Sequence, residues 1–179
     1  MRFQAVLEER RSIRDYKEGM QISREQLEEL IHAAMLAPSW KNSETARYYV
    51  VSSKELFEKI RTECLPDFNR DRTRAASAYI VVTYKRGISG FTDSNEAVNE
   101  IGDGWGCFDL GLATENLLLK AQDLGLGTLV MGIRDEKGLR SLLSIPKTED
   151  VMAVIAVGVA NVHPPMPKRK ALEEVATFF

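Results

Sequence analysis

The stretch RRSIRDY concentrates positive charge near the start of the chain. Arg10, Arg11 and Arg14 lie within five positions of one another, and Ser12 adds a hydroxyl between them. This combination suits an anion, above all a phosphate, because guanidinium groups donate paired hydrogen bonds to its oxygens. The alternative is a solvated helix surface, and these residues alone do not decide between the two.

A second group of cations lies near the end of the chain, in the letters PKRK. Three prolines within four positions precede it and oppose a helix, so residues 161–179 are predicted to form an extended arm. Because alternate residues of an extended chain share a face, Lys168 and Lys170 should point the same way and Arg169 the other way. The arm either stays solvated, folds back onto its own domain or reaches a partner chain.

Two polar segments between these ends suit the hydrogen-bonding edge of a ring compound. APSWKN, at 37–42, follows a predicted helix, and FNRDR, at 68–72, is predicted to be a loop before a strand. Loops and the ends of helices and strands are where binding groups concentrate. Their hydroxyl and amide groups supply the donors and acceptors that such an edge needs.

Familiar catalytic and nucleotide-binding motifs do not occur in the sequence. The glycines of GLGTLVMG follow a helix and precede a strand, which is the wrong order for a dinucleotide-binding turn. His32 and His163 are the only histidines, Cys64 and Cys107 the only cysteines, and their spacing fits no metal site. A chain without its own reactive groups usually borrows them from a cofactor.

The composition is that of one ordinary globular domain. The chain has 179 residues, 44% of them hydrophobic, and a formal net charge of −2, which gives no global attraction to nucleic acid. The longest apolar stretch, 151–160, is too short to cross a bilayer as a helix. Two distant cysteines without a signal peptide favour reduced thiols and a cytoplasmic location. We therefore expect neither a nucleic-acid partner nor a membrane.

Helices and strands are predicted from periodicity and from start and stop signals. Ser23 with Gln26, and Ser52 with Glu55, read as capping boxes, and Gly125 as the residue that ends a long helix. The predicted helices are 1–10, 24–37, one following Ser52, 95–124 and 136–143. The predicted strands are 48–53, 78–84, 128–133 and 151–160, with a loop at 84–95.

In this order the clusters resemble the FMN-dependent nitroreductase family. RRSIR matches its opening R-[RHS]-S-x-R/K, APSWKN its A-P-S-x-x-N, and FNRDR its stretch before a strand. DLGLATENLLLKAQDLGLGT, at 109–128, closely matches its long helix, and the tail matches P-K/R-x-K/R-x-L-E-E. Each motif is weak alone, but five in order cover most of residues 10–174.

The resemblance implies an α+β fold with three layers, α-β-α, in which helices flank a mixed, mainly antiparallel sheet. Residues 1–179 would form a single FMN-binding domain, with 161–179 as a C-terminal arm. Two chains would form an intertwined homodimer, largely through the helix at 109–124.

The resemblance also assigns candidate cofactor residues. Arg10, Arg11, Ser12 and Arg14 would surround the FMN phosphate, with Lys168 and Lys170 arriving from the arm. The residues implied at the flavin ring are Asn69, Arg72, Val130, Met131 and Gly132. Those implied to reach the partner's flavin across the dimer are Pro38, Ser39 and Asn42.

The implied activity is that of an NAD(P)H-dependent FMN oxidoreductase. Hydride would pass from NAD(P)H to the flavin and then, in a ping-pong cycle, to a nitroaromatic, a quinone or a similar small acceptor. No residue would act as a nucleophile, while Asn69 and Arg72 would tune the ring. The alternatives are other flavin chemistry on the same scaffold (a dehalogenase, dehydrogenase or flavin reductase) and a non-catalytic FMN-binding or sensing protein.

The sequence departs from the family at one informative place. The family's glutamine and Pro-Trp are replaced by Glu44, Thr45 and Ala46. In relatives this stretch lies near the ring and the substrate pocket. The resemblance therefore implies the cofactor of this chain but not the identity of its electron acceptor.

Overall fold

A four-stranded antiparallel sheet forms the middle of the protein. The computed structural model describes residues 2–179, and its strands are β1 (Ala46–Val51), β2 (Ala78–Lys85), β3 (Gly127–Met131) and β4 (Glu149–Gly158). They are ordered β1-β2-β4-β3, and every neighbouring pair runs antiparallel. The parallel pairing within residues 2–179 is an isolated bridge between Ser12 and Thr128.

Helices cover both faces of this sheet. They are α1 (Phe3–Glu9), α2 (Arg24–Met35), α3 (Lys54–Lys59), α4 (Asp67–Arg72), α5 (Gly104–Asp123) and α6 (Glu136–Leu143). A π-helical turn, Ile60–Cys64, continues α3, and single 3-10 turns occur at Trp40–Asn42 and Leu172–Glu174. The expected helix at 1–10 includes Met1, which lies outside the described residues.

The two central strands are apolar on both faces, which explains the three layers. Ile80 and Ile155 point into a core shared with α2 and α5. Tyr79 and Val154 point into a second core shared with α3 and α6. Because successive side chains of a strand alternate between faces, a nearly continuous apolar run is what a strand covered on both sides requires. The expected α-β-α arrangement is confirmed.

Helix α5 approaches the sheet closely through a glycine. A Cβ placed on Gly106 would lie 2.4 Å from the ring of Tyr84 on β2, so a larger residue would push the helix away. The other end of α5 is fixed by the turn at Gly125, whose φ of 73° is in the left-handed region. The prediction that Gly125 ends the helix is confirmed.

Some sequence predictions of boundaries were wrong. The helix expected at 95–124 begins at Gly104, because residues 95–103 form turns with Asn95 at a φ of 60° and Gly102 at 52°. FNRDR is not a loop but lies in helix α4. Pro66 is the N-cap of this helix, and Asp67 places a negative charge in its first turn, at the positive end of the helix dipole. β1 occupies Ala46–Val51 instead of 48–53.

The two predicted capping boxes had different outcomes. Ser23 and Gln26 exchange hydrogen bonds as expected, with Gln26 N–H donating to Ser23 Oγ at 3.2 Å. The box of Ser52 and Glu55 is wrong, because α3 begins after Ser53, whose side chain makes no capping bond.

The arm at 161–179 runs along the surface, with almost all of its side chains exposed. Its root is attached to the first loop: Asn161 N–H donates to Asp15 O at 3.1 Å, and Asn161 Nδ2 donates to Asp15 Oδ2 at 2.9 Å. Among residues 2–179, no helix is long and apolar enough to cross a membrane.

Candidate functional site

The first loop and the C-terminal arm together form a cationic cleft. Its volume is about 170 Å³. The lining residues are Arg10, Arg11, Ser12, Arg14, Pro164, Pro165, Pro167 and Arg169. The structure thus brings together two sequence stretches that lie about 150 residues apart, both of which were predicted to bind an anion.

Backbone pairing holds the first loop against the sheet. Ile13 N–H donates to Thr128 O at 2.8 Å, and Ile13 is buried. Lys17 N–H donates to Val159 O at 2.9 Å. Since residues of an extended segment alternate between faces, burying Ile13 directs its neighbours Ser12 and Arg14 toward the cleft.

The arginines of this cleft have few carboxylate partners. Arg10 Nε lies 3.6 Å from Glu115 Oε1, and Arg14 Nη1 donates to Ser12 O at 3.2 Å. Arg11 Nη1 donates to the carbonyls of Glu8 and Arg10 at 2.7 Å each, and its buried Nε has no partner within residues 2–179. Clustered guanidinium groups repel one another, so an anion with several acceptor oxygens fits this cleft.

The arm presents a different cation from the one expected. Arg169 lines the cleft, whereas Lys168 and Lys170 are exposed and are absent from its lining. Strict alternation belongs to a pleated strand, but this proline-rich segment pairs with no strand. The expectation that Arg169 faces away was therefore wrong.

A second group of predicted residues lies where β3 ends beside α4. Asn69 is buried, and its Nδ2 is 3.5 Å from Ile133 O, which joins the two elements. The guanidinium of Arg72 lies over the ring of Phe68, 5.5 Å from its centroid. The Arg72 guanidinium and the Phe68 ring are therefore exposed together on α4, while the buried Asn69 amide joins this helix to the residues that follow β3.

β3 offers this surface mostly backbone. The side chain of Val130 is exposed, but that of Met131 is only 2% exposed and belongs to the core. Only the backbone of Met131 is thus available to a ligand. A Cβ at Gly132 would meet no atom within 4 Å, so the space above this glycine is open for close approach. Gly132 lies four residues along the strand from Thr128, which is beside the cationic cleft, so the distance between the two residues is about 13 Å.

The third group, Pro38, Ser39 and Asn42, lies on the other side of the chain, between α2 and β1. Pro38 and Ser39 line a cleft of about 370 Å³, which we call the β1 cleft, and Asn42 is on the adjoining turn. Its complete lining is Ile31, Ala34, Met35, Ala37, Pro38, Ser39, Glu44, Thr45, Ala46, Arg47, Tyr48, Val50, Asp109 and Ala113. A single chain does not bring these residues into the cationic cleft.

The loop at 39–45 has an unusual backbone. Lys41, Asn42 and Glu44 have φ values of 47°, 55° and 48°. The left-handed conformation costs roughly 1–2 kcal/mol for a residue with a Cβ, so surrounding contacts must hold this loop.

Asp109, which is 5% exposed, supplies the main contact. Its Oδ2 accepts hydrogen bonds from Trp40 N–H at 3.0 Å and from Ser89 Oγ at 2.7 Å. Ser89 Oγ lies 2.9 Å from Ser43 Oγ and 3.3 Å from Thr45 Oγ1. The sequence places Asp109 in a long helix but assigns it no role. A signal was present: Asp109 shares a buried helix face with Leu110, Ala113 and Leu117, and a buried carboxylate needs a hydrogen-bonding partner.

Neither thiol is placed for nucleophilic chemistry. Burial, with a smaller contribution from Asp135, raises the pKa of Cys64 to about 11, so the thiol stays protonated at neutral pH. Cys107 Sγ lies 3.6 Å from Tyr84 OH on the face of α5 that packs on the sheet. In residues 2–179, no group of three or more His, Cys, Asp and Glu could hold a metal ion.

Solved structures of similar fold include two bacterial proteins, both with provisional descriptions. One, from Exiguobacterium sibiricum, is described as a nitroreductase in complex with FMN; it shares 20% identity, covers 100% of this chain and 98% of its own, and superposes with a TM-score of 0.86. The other, from Staphylococcus epidermidis, is described as an NAD(P)H:FMN oxidoreductase, with 21% identity, 99% and 95% coverage and a TM-score of 0.85. At these identities the likeness concerns the fold.

Sequence comparison reaches further. A protein of Archaeoglobus fulgidus, provisionally named NADH dehydrogenase/NAD(P)H nitroreductase, is 37% identical over 158 residues, which cover 83% of this chain and 80% of that protein. The nitroreductase family profile matches residues 7–159. The cationic first loop, α4 and the whole sheet lie inside that match, and the chain belongs to the nitroreductase family.

Proposed function

We propose that this chain is an FMN-dependent oxidoreductase that uses NAD(P)H to reduce a small acceptor, such as a nitroaromatic compound or a quinone. The single observation that carries the proposal is the cationic cleft at one end of β3 with an open backbone surface at the other. Membership of the nitroreductase family supports it, as do similar proteins described by NAD(P)H and FMN.

The residues present suit the phosphate of FMN. Arg10, Arg11, Ser12, Arg14 and Arg169 would hold it, since these four arginines and the serine all line the cleft. Lys168 and Lys170, on the exposed part of the arm, would add to the positive field.

The ring would lie along the end of β3. Val130, the backbone of Met131 and Gly132 would support it, while Asn69 and Arg72 would face its polar edge. FMN held there would supply the hydride chemistry that links NAD(P)H to the acceptor in a ping-pong cycle. The chain would contribute orientation and charge: Arg72, near the ring, would stabilise negative charge that develops on reduction.

We further propose a homodimer in which Pro38, Ser39 and Asn42 approach the partner's flavin. The surface next to the β1 cleft carries apolar side chains that the single chain leaves in water, including Met35 at 63% exposure and Leu36 at 83%. Phe108 on α5 is 56% exposed. Exposed apolar side chains that adjoin one another, as Met35 and Leu36 do, mark an interaction surface more often than a solvated one. A single domain over 1–179 and a cytoplasmic location are also part of this proposal.

Titration of the purified protein with FMN tests the proposal, followed by thermal unfolding and by sedimentation at low micromolar concentration. We expect stoichiometric FMN uptake, a higher melting temperature with FMN and a mass of about twice the 20.1 kDa chain. Failure to bind FMN would refute the cofactor. A monomer that binds FMN tightly would refute the shared site only.

A further inference from the structure

The β1 cleft has apolar walls and an uneven set of charges. Ile31, Ala34 and Tyr48 are among its apolar lining residues, and Glu44, Arg47 and Asp109 are its charged ones. The lining therefore carries two carboxylates and one guanidinium, which leaves one negative charge in excess. Glu44 is exposed and Asp109 is buried, so water screens the first charge more than the second, and the preference that Glu44 sets should be modest.

Glu44 carries a carboxylate that no cation neutralises. Its Oε1 accepts a hydrogen bond from Asn42 Nδ2 at 3.1 Å, and no ion pair reaches it among residues 2–179. The Arg47 guanidinium instead donates to the carbonyls of Glu44 and Ala46, at 2.8 and 2.7 Å. Glu44 is also fixed in place, because its N–H donates to Ser39 Oγ at 3.0 Å.

Asp109, which also lines the cleft, adds a second negative group. Both of the hydrogen bonds that it accepts end on Oδ2, and no donor within residues 2–179 reaches Oδ1. Oδ1 is also not among the fully buried unpaired atoms of residues 2–179, so part of its surface stays accessible. A side chain that is 95% buried thus keeps one oxygen for a donor from outside.

We propose that the β1 cleft binds the electron acceptor and that Glu44 makes it prefer planar cationic or neutral acceptors to anionic ones. This inference rests on the proposed function, because the cleft would face the partner's flavin through Pro38 and Ser39. The related motif carries a neutral glutamine at this position, so the preference belongs to this chain. A planar apolar body fits the walls, and an N–H donor fits the carboxylates.

Three probes of nearly the same shape separate charge from size: benzamidine, benzamide and benzoate. Their affinities for the FMN-loaded protein are measured by calorimetry, which requires no turnover. We expect benzamidine to bind most tightly and benzoate most weakly. Glu44→Gln, which keeps the size of the side chain, should weaken benzamidine and strengthen benzoate about twofold each, and so lower the ratio of their affinities about fourfold.

Glu18→Gln is the matched control, because Glu18 pairs with Arg74 on the exposed surface and lines none of the clefts described above. It removes the same charge and should leave the ratio unchanged. In the unmodified protein, raising the salt concentration should weaken benzamidine and leave benzamide unaffected. This measurement decides the matter even if the Glu44 variant does not fold.

The inference is overturned if wild type binds benzoate as tightly as benzamidine, if benzamidine binding is insensitive to salt, or if Glu44→Gln leaves the ratio unchanged. FMN titration of the same preparations separates this failure from that of the proposed function. Tight FMN binding without a charge preference overturns only the role of Glu44, whereas absent FMN binding overturns the function on which it rests.

Discussion

Replacing Arg14 with alanine tests whether the cationic cleft holds a phosphate. The Arg14 guanidinium is exposed and makes one hydrogen bond within residues 2–179, from Nη1 to Ser12 O at 3.2 Å. Its removal therefore leaves no buried group of the fold unpaired. A hydrogen bond between charged groups contributes about 1.5–3 kcal/mol, and exposure places this one at the lower end. We expect a loss of about 1.5 kcal/mol in FMN binding, which is roughly a tenfold rise in Kd.

The assay is a titration followed by quenching of flavin fluorescence, with riboflavin as the second ligand. Riboflavin lacks the phosphate, so it should bind wild type weakly and be nearly indifferent to Arg14→Ala. Arg24→Ala removes the same charge from the surface of α2, where Arg24 pairs with Glu28, and should change neither affinity. Equal losses for both flavins in Arg14→Ala would show that this arginine supports the fold and would refute the phosphate assignment.

Three further predictions concern the ring surface, the core and pH. Gly132→Ala should leave the melting temperature unchanged, because the new methyl meets no protein atom, but it should weaken FMN binding in the same titration. Gly158→Ala would place a Cβ 2.5 Å from the Tyr16 ring and should cost about 1–3 kcal/mol of stability. Equal effects of the two substitutions on stability would contradict this contrast. Leu117→Ala should lower the free energy of unfolding in urea by about 2–5 kcal/mol because Leu117 is fully buried; a loss below about 1 kcal/mol would place it outside the core. Burial raises the pKa of Cys64 from 9.0 to about 11, so the folded state holds the thiol proton more tightly than the unfolded state. The stability of the fold should therefore fall as pH rises from about 9 to 11. Cys64→Ala should lessen that fall in thermal unfolding, and an identical pH profile in the variant would contradict the assignment.

The sheet and its flanking helices were predictable because local signals and burial agree. The apolar runs of β2 and β4 are too short for core helices and lack alternation, which is the pattern of strands covered on both faces. The capping box of Ser23 and Gln26 fixed the start of α2 for a local reason, since both partners lie within one turn.

Two of the misses occurred where the decisive partner is distant in sequence. The error at 95–103 is local instead: the left-handed backbone of Asn95 and Gly102 interrupts the helix, and Asn99 Oδ1 accepts a hydrogen bond from Trp105 Nε1 at 2.9 Å. The direction of Arg169 depends on how the arm lies against the first loop, more than 150 residues away. The role of Asp109 depends on Trp40 and Ser89, which only the folded chain brings to it.

The visible spectrum of the purified protein under nitrogen, before and after NAD(P)H, tests the central claim most directly. The account predicts a yellow protein with the absorption of oxidised flavin, which NADH or NADPH bleaches and a nitroaromatic compound or a quinone then restores. A protein reconstituted with FMN whose absorption neither nicotinamide donor bleaches would contradict it.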